Sequence, residues 1–180
     1  MSCSIFMAVP TMYVKLIEKM EGEQRELTHI RLLASGSAPL LPKDFDRIKK
    51  LFGREPVERE GMSETGMNFS NPLNGMKKPG SIGLPLPHVE VRIVNPETFQ
   101  DVKPGDVGEI WLKGPNVTPG YWRKPLETEA AFIASLTGSS GLRLVTPVAI
   151  MFAATMKQPQ GINFSIEGYC TRSRAPCNRF

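Results

Sequence analysis

The chain is poor in the residues that build metal centres and disulfide frameworks, with only 3 cysteines and 2 histidines among 180 residues. Cys3, Cys170 and Cys177 are odd in number and lack the spacing of zinc ligands or of a disulfide framework. This pattern predicts an intracellular, reducing compartment, either cytoplasm or mitochondrion, and excludes a zinc site. His29 and His88 have no acid or thiol at a spacing that suggests a partner, so a catalytic triad is unsupported.

The sequence also lacks a long hydrophobic run. Residues 144–155 are apolar, but they fall far short of the roughly 20 residues that a membrane helix requires, and Pro147 interrupts them. No charged segment precedes the apolar residues near Met1, unlike the start of a secretory signal. We therefore expect neither a membrane span nor a secretory signal.

Acidic residues are nearly absent from the C-terminal part of the chain. Residues 1–132 carry 17 basic and 17 acidic side chains, so the net charge of +4 belongs entirely to residues 133–180, where Glu167 is the one acid. A neutral body with a basic tail does not fit a nucleic-acid-binding domain. No helical or strand periodicity persists after Phe132, and we expect 133–180 to be an unrelated, poorly ordered tail behind a domain of residues 1–132.

Apolar periodicity in the first 60 residues predicts strands that alternate with helices. The predicted strands are residues 4–9, 29–34 and 56–60, and the predicted helices are residues 10–22 and 42–52. This alternation predicts an α/β fold with part of a doubly wound parallel sheet.

From Asn68 onward the composition changes, and many Pro and Gly residues predict a loop-rich stretch. Residues 88–94 alternate between apolar and polar, which is typical of a half-buried strand, and residues 107–113 suit an antiparallel partner. A small antiparallel β subdomain is therefore expected after the parallel sheet. Pro125 is a suitable first residue for a last helix.

A hydroxyl and a carboxylate stand side by side at Ser63 and Glu64, just after the third predicted strand. Glu64 is a suitable ligand for magnesium, and Ser63 is a suitable donor to a phosphate oxygen. The alternative is a helix start, with Ser63 as the N-cap and Glu64 next to the positive end of the helix dipole. Local sequence alone favours the helix start.

The loop of residues 35–40 follows the second predicted strand, at the edge where open α/β sheets bind ligands. Gly36 and Ala38 are small enough to let a flat ring approach the backbone, although a simple turn containing Pro39 explains the loop equally well. No G-x-x-x-x-G-K-[ST] motif occurs in the sequence, which excludes a P-loop NTPase.

Six short motifs lie at residues 6–13, 35–40, 61–67, 79–87, 105–110 and 120–122. Their order and content resemble those of AMP-forming acyl-CoA synthetases of the adenylate-forming superfamily. The resemblance covers residues 4–132, and residues 61–68 with Asn71-Pro72 and Pro79-Gly80 most resemble the malonyl-CoA synthetase branch. It implies a ligase that activates a malonate-like or fatty acid with ATP and transfers the acyl group from AMP to CoA.

The resemblance also implies roles for individual residues. Adenine would lie against Gly36, Ser37, Ala38 and Pro39. Phosphate would lie near Gly61, Met62 and Ser63, and Mg²⁺ would bind Glu64. The acid substrate would lie near Val9, Pro10, Thr11 and Met67, and Lys77 or Lys78 would meet the second carboxylate of a diacid.

The sequence departs from the family's pattern at several points. Glu60 stands where the family usually has a tyrosine that stacks on adenine, and Ser63 replaces a threonine. The family's phosphate loop, its ribose-binding aspartate after Phe132 and its C-terminal catalytic lysine have no counterpart here. We therefore expect no acyl-CoA formation by this chain alone. A non-catalytic truncated product, or a binding module of a full-length synthetase, is the alternative.

Overall fold

The computed structural model describes residues 3–20, 22, 27–134, 143–145, 153–156 and 162–165, with side chains described up to Phe132. In chain order the elements are β1 (Ile5–Ala8), α1 (Pro10–Met20), β2 (Leu32–Ser35), α2 (Pro42–Phe52), β3 (Val57–Met62), β4 (Gly66–Ser70), β5 (Ser81–Pro85), β6 (Glu90–Val94), β7 (Glu109–Lys113), α3 (Pro125–Ala131), β8 (Phe132–Ala134), β9 (Arg143–Val145), β10 (Ala153–Met156) and β11 (Ile162–Ser165).

The first half of the chain forms the α/β layer that the sequence predicts. Strands β1, β2 and β3 are parallel neighbours in chain order, with Phe6 opposite Leu33 and Ala34 opposite Val57. Because successive right-handed crossovers that step in one direction place their helices on one face of the sheet, α1 and α2 contact each other. The side chains of this core are Tyr13, Ile17, Ile30, Leu33, Leu40, Phe45, Ile48 and Phe52.

Both helices have local signals that explain their bounds. Each begins with a proline, whose fixed φ and missing N–H suit the first helical position. Helix α2 ends at Gly53, which adopts the left-handed conformation (φ 64°) of a helix C-cap. The prediction for α2 is confirmed to the residue, and α1 ends two residues before its predicted end at Gly22.

Two strands, β4 and β5, extend the sheet where the sequence predicts a loop-rich stretch. Strand β3 turns back through residues 63–65 into β4, and β4 pairs antiparallel with β5. The interpretation of Ser63-Glu64 as a helix start is therefore wrong. The reason is tertiary, because pairing with β3 and β5 stabilises a Gly- and Asn-containing segment that has little intrinsic strand propensity.

Strands β6 and β7 are an antiparallel pair, as predicted, with Arg92 opposite Trp111. Their apolar faces share a core with the β4 and β5 strands; its buried members are Phe69, Ile82, Ile93, Ile110 and Leu112. The predicted last helix is also present as α3, which begins at Pro125. The fold class is thus confirmed, with a sheet whose parallel part is limited to β1, β2 and β3.

The predicted tail, residues 133–180, falls largely outside the described residues, and so do Cys170 and Cys177. Within it the structure describes the end of β8 and three short strands, of which β9 pairs with β7 and β8, and β11 pairs with β5. Among the described helices, none has the length and apolar character needed to cross a bilayer.

Candidate functional site

One pocket, with a volume of about 170 Å³, lies at the carboxyl ends of β2 and β3. Its lining residues are Ser35, Ser37, Ala38, Pro39, Glu58, Arg59, Glu60, Gly61, Gly80 and Ile82. Ligands of open α/β sheets bind at this edge, because the loops that follow parallel strands converge there. The pocket therefore lies where the sequence places a ligand loop.

The loop after β2 forms one wall of the pocket through Ser37, Ala38 and Pro39. Ser37 has a left-handed backbone conformation (φ 65°), which is uncommon outside glycine and turns the chain sharply into the loop. Gly36 is needed for a different reason, since a Cβ atom there would lie 2.9 Å from the carbonyl oxygen of Arg59. Gly36 thus lets the loop approach β3 closely, although it does not line the pocket itself.

Glu58 is a buried carboxyl in the pocket wall, with 4% of its surface exposed. The backbone N–H of Gly80 donates to its Oε1 at 3.0 Å. Burial raises the pKa of Glu58 to about 7, against the opposing effect of backbone hydrogen bonds from Gly80 and Leu40. Glu58 therefore connects the loop before β5 to β3 through a hydrogen bond. With this pKa, the Glu58 carboxyl loses its proton near neutral pH.

Glu60 is a second, half-buried carboxyl in the same pocket. Asn68 Nδ2 donates to Glu60 Oε2 at 3.1 Å, and burial raises the pKa of Glu60 while this hydrogen bond lowers it. The same Asn68 amide donates to Thr65 Oγ1 at 2.7 Å, and Asn116 Nδ2 donates to Asn68 Oδ1 at 3.2 Å. A buried polar network thus connects the pocket to the loop after β7.

Arg59 lies between the two glutamates and is the one cation among the pocket-lining residues. Its Nη1 contacts Met67 Sδ at 3.1 Å, while its buried Nε has no hydrogen-bond partner. The hydroxyl of Ser35, at the end of β2, is also buried without a partner. Unpaired buried donors are costly, and both of these residues line the pocket.

Arg59 is not among the site residues that the sequence predicts. The signal that was available is a charged residue that immediately follows a buried strand position, in the run Glu58-Arg59-Glu60. Alternation along a strand does not say which of three consecutive charges faces a pocket, so the sequence alone left the cation unassigned.

Ser63 and Glu64 lie in the turn between β3 and β4, beyond the pocket-lining residues. Tyr121 Oη donates to Glu64 Oε1 at 2.7 Å, and the N–H of Thr118 donates to the Glu64 carbonyl at 2.8 Å. The hydrogen bond between the Tyr121 hydroxyl and the Glu64 carboxylate is the main cause of the raised pKa of Tyr121. The second carboxylate oxygen of Glu64 has no partner among the described residues.

The described residues contain no cluster of three or more His, Cys, Asp or Glu side chains that would hold a metal ion by itself. A single carboxylate with one unengaged oxygen fits Mg²⁺ only if phosphate oxygens and water supply the other ligands, which is the usual arrangement for this ion. Glu64 and the exposed Ser63 therefore fit a magnesium–phosphate ligand rather than a permanent metal centre.

The predicted substrate residues do not line the pocket. Pro10 is buried at the start of α1, and Thr11 is exposed beside it. Lys77 Nζ donates to the carbonyl of Leu73 at 3.2 Å in the loop before β5. Val9, Met67 and Lys78 also lie outside the lining, although Met67 contacts Arg59. Their roles in acid binding stay predictions.

A family profile and individual relatives place the chain in the same protein family. The protein-family profile described as "AMP-binding enzyme" matches residues 1–122. The mitochondrial malonate–CoA ligase of Bos taurus is 38% identical over 159 residues, which are 72% of this chain and 27% of that protein. A long-chain-fatty-acid–CoA ligase of Bacillus subtilis is 38% identical over 128 residues, covering 71% of this chain and 23% of the relative.

A solved structure supports the same relationship. The crystal structure of ATP-bound MatB from Rhodopseudomonas palustris superposes with a TM-score of 0.75 at 34% identity, covering 90% of this chain and 30% of that one. The chain therefore spans roughly a quarter of the length of the curated relatives that it matches.

Proposed function

The chain belongs to the AMP-binding enzyme family, close to the malonyl-CoA synthetases, and on that premise we propose that it forms part of the active site of an acid–thiol ligase. In the proposed reaction a carboxylate oxygen attacks the α-phosphorus of ATP and pyrophosphate leaves. The thiol sulfur of CoA then attacks the acyl carbon, its proton passes to solvent, and AMP leaves. A pocket at the carboxyl ends of β2 and β3 is the observation that carries this proposal.

The adenine ring is proposed to lie against Ser37, Ala38 and Pro39. These three residues form one wall of the pocket and have small or flat side chains, and Gly36 holds their loop against β3. Backbone groups at the end of a parallel strand are well placed to approach a flat ring. The related MatB is ATP-bound, which supports ATP as the nucleotide ligand.

The acid is proposed to be malonate or another small diacid. Arg59 supports this proposal, because its buried Nε lacks a partner and a guanidinium pairs well with a carboxylate. The malonate–CoA ligase among the relatives supports it too. Lys77 and Lys78 are the alternative partners for the second carboxylate, and a fatty acid is the alternative substrate, given the Bacillus subtilis relative.

Glu64 is proposed to bind the Mg²⁺ that accompanies ATP, with Gly61, Met62 and Ser63 next to the phosphates. Bound magnesium would neutralise the charge that develops on pyrophosphate. The protein's contribution is orientation: Tyr121 holds one oxygen of Glu64 and leaves the other free, and the N–H of Thr118 fixes the turn.

These 180 residues are proposed to bind ligands without completing the reaction by themselves. Most of the rate enhancement in such enzymes comes from preorganised charges around the reacting phosphate. The described residues supply Glu64 and Arg59, but the sequence has no match to the family's phosphate loop, ribose aspartate or catalytic lysine. The second candidate function is a non-catalytic module that pairs with a full-length synthetase. A mitochondrial location is also proposed, and the mitochondrial relative supports it.

The test combines binding and catalysis on the full chain. We expect adenosine, AMP and ATP to bind at pH 6 in calorimetry, and ATP–pyrophosphate exchange with malonate to stay at background. Failure of all three adenine ligands to bind would refute the nucleotide pocket, whereas exchange above background would refute the inactivity of the isolated chain.

A matched pair of variants tests the acid site. Arg59→Met should abolish a malonate-induced rise in melting temperature, and Lys77→Met should leave that rise unchanged because Lys77 lies outside the pocket lining. The opposite result would assign the diacid to the loop before β5.

A further inference from the structure

The pocket has an unusual charge for a site that receives a nucleotide. Three consecutive residues of β3, namely Glu58, Arg59 and Glu60, are its charged lining groups, and the other lining residues are uncharged. With all three ionised, the lining carries one net negative charge. A polyanion such as ATP would therefore meet repulsion at the point where its base is proposed to bind.

The two carboxyls are not equivalent. Glu58 accepts the N–H of Gly80 and is almost fully buried, so it acts as part of the wall. Glu60 is half-buried, and only its Oε2 accepts a hydrogen bond, from Asn68. Its Oε1 has no partner among the described residues, so Glu60 is the carboxyl available to a ligand.

The charges around Glu60 do not neutralise it. No ion pair joins Arg59 to Glu58 or to Glu60 in the described part of the chain, and Arg59 Nη1 contacts Met67 Sδ. The pocket-lining part of the loop after β2, residues 35–39, contains no titratable group, and neither do β4 and β5. Across the hairpin, Asn68 offers a neutral amide. The charged residues that share the pocket lining with Glu60 are thus Glu58 and Arg59, and its hydrogen-bond donor is the neutral amide of Asn68.

Resting on the proposed function of this pocket, we propose that Glu60 is a specificity-determining residue that makes the pocket favour adenine ligands of low negative charge, and that ATP enters with uptake of a proton. Adenosine, which is uncharged, meets no penalty from Glu60. AMP meets a small one, and ATP the largest, because repulsion grows with the charge of the ligand.

The sign of the pH effect follows from linkage. Burial raises the pKa of Glu60, so its protonated form is already accessible before a ligand binds. An anionic ligand stabilises that neutral form further. The dissociation constant for ATP should therefore fall as the pH is lowered, and it should fall more in wild type than in Glu60→Gln, where Glu58 is the carboxyl that still titrates in the pocket lining, while the constant for adenosine should change little.

The experiment is calorimetric titration of the full chain with adenosine, AMP and ATP at pH 5.5 and pH 8.5, for wild type and Glu60→Gln. At pH 8.5 we expect Glu60→Gln to bind ATP about tenfold more tightly than wild type and adenosine equally well, a change that corresponds to roughly 1.4 kcal/mol. At pH 5.5 the two proteins should differ less in ATP affinity than at pH 8.5, because a lower pH favours the neutral form of Glu60. Glu97→Gln, at an exposed turn, is the matched control and should behave as wild type.

The ratio of ATP to adenosine affinity separates the possible outcomes. An equal change for all three ligands would overturn the proposal, because Glu60 would then act only through the Asn68 network. An unchanged ATP affinity in Glu60→Gln at pH 8.5 would overturn it as well. Adenosine binding tests the nucleotide pocket alone, so its loss in wild type and variant would refute the proposed function separately. Glu60→Met, which is also neutral, replaces Glu60→Gln if that variant does not fold.

Discussion

The hydroxyl of Tyr121 donates a 2.7 Å hydrogen bond to Glu64, across 57 residues of sequence. The contact joins the loop that follows β7 to the turn between β3 and β4. The N–H of Thr118 reinforces it by donating to the Glu64 carbonyl. The small antiparallel sheet therefore fixes the orientation of the carboxylate that we propose binds magnesium.

Removing this hydroxyl should weaken both the fold and the proposed metal site. We expect Tyr121→Phe to lower the free energy of unfolding by about 1 kcal/mol, a typical value for one hydrogen bond to a partly exposed carboxylate. Urea denaturation measures this change. In a double-mutant cycle with Glu64→Ala the two losses should not add, because both variants remove the same contact.

Trp122→Phe is the matched control for Tyr121→Phe. Trp122 is 85% exposed and does not contact Glu64, so its truncation should change the free energy of unfolding by less than about 0.5 kcal/mol. Strictly additive losses in the Tyr121 and Glu64 cycle would show that the hydrogen bond does not couple the two elements.

Gly61 should tolerate no side chain. A Cβ atom at this position would lie 2.3 Å from the carbonyl oxygen of Gly66, which belongs to the backbone of the opposing strand and cannot move away easily. We expect Gly61→Ala to lower the free energy of unfolding by roughly 2–3 kcal/mol, because the two strands must move apart to relieve the clash.

Gly53→Ala is the comparison variant for Gly61→Ala. Gly53 has a positive φ of 64° but open space around its Cα, so only the backbone strain of about 1 kcal/mol applies. Thermal or urea unfolding of the two variants should therefore rank Gly61→Ala as clearly worse. An equal loss would mean that the hairpin can open around Gly61.

Stability should depend on pH through Glu58. Its pKa is about 7 in the folded chain and 4.5 ordinarily, so the folded state binds more protons between these values. The stabilisation is complete below pH 4.5 and is lost as the pH rises through 7, a change of roughly 3 kcal/mol. Denaturant unfolding at pH 5.5 and pH 8.5 measures it.

Glu58→Gln should flatten this dependence, because the amide accepts from Gly80 without changing charge. Glu97→Gln, at an exposed position, should preserve it. A wild-type chain that gains stability between pH 5.5 and pH 8.5 would contradict the assigned effect of burial on Glu58.

Asn68 should contribute more to the free energy of unfolding than an asparagine at the surface does. It is fully buried, donates to Glu60 and Thr65, and accepts from Asn116. Truncation in Asn68→Ala leaves buried polar groups without partners, which we expect to lower the free energy of unfolding by about 2–3 kcal/mol.

Asn74→Ala, in the exposed loop before β5, serves as the control for Asn68→Ala and should stay within about 0.5 kcal/mol of wild type in urea denaturation. A similar small effect at Asn68 would show that the network contributes little to the fold.

The helices were predictable because their signals are local. Pro42 and Gly53 lie within one or two residues of the ends they define, and the apolar side of α2 repeats within its 11 residues. Strands β4 and β5 were missed because their signal is not local. At Gly83, for instance, the close approach of the two strands requires glycine, because a Cβ atom there would lie 2.1 Å from the carbonyl oxygen of Ser70, 13 residues away.

The residues of the candidate site also differ in whether local sequence predicts them. The loop with Ser37, Ala38 and Pro39 was selected from sequence because it follows a recognisable strand, and the structure places all three in the pocket. Arg59 and Tyr121 were not selected. Their contacts, to Met67 and Glu64, depend on how strands pair and on how two sheets meet.

Motifs, periodicity and helix ends are properties of neighbouring residues, so they predict the family, the order of the α/β elements and the loop that lines the pocket. Other features are visible only in the folded chain: Glu58, Arg59 and Glu60 share one pocket, Ser63-Glu64 is a hairpin turn rather than a helix start, and Tyr121 donates a hydrogen bond to Glu64. Those results depend on contacts between residues far apart in the chain, whose burial and charge exist only once the sheets have formed.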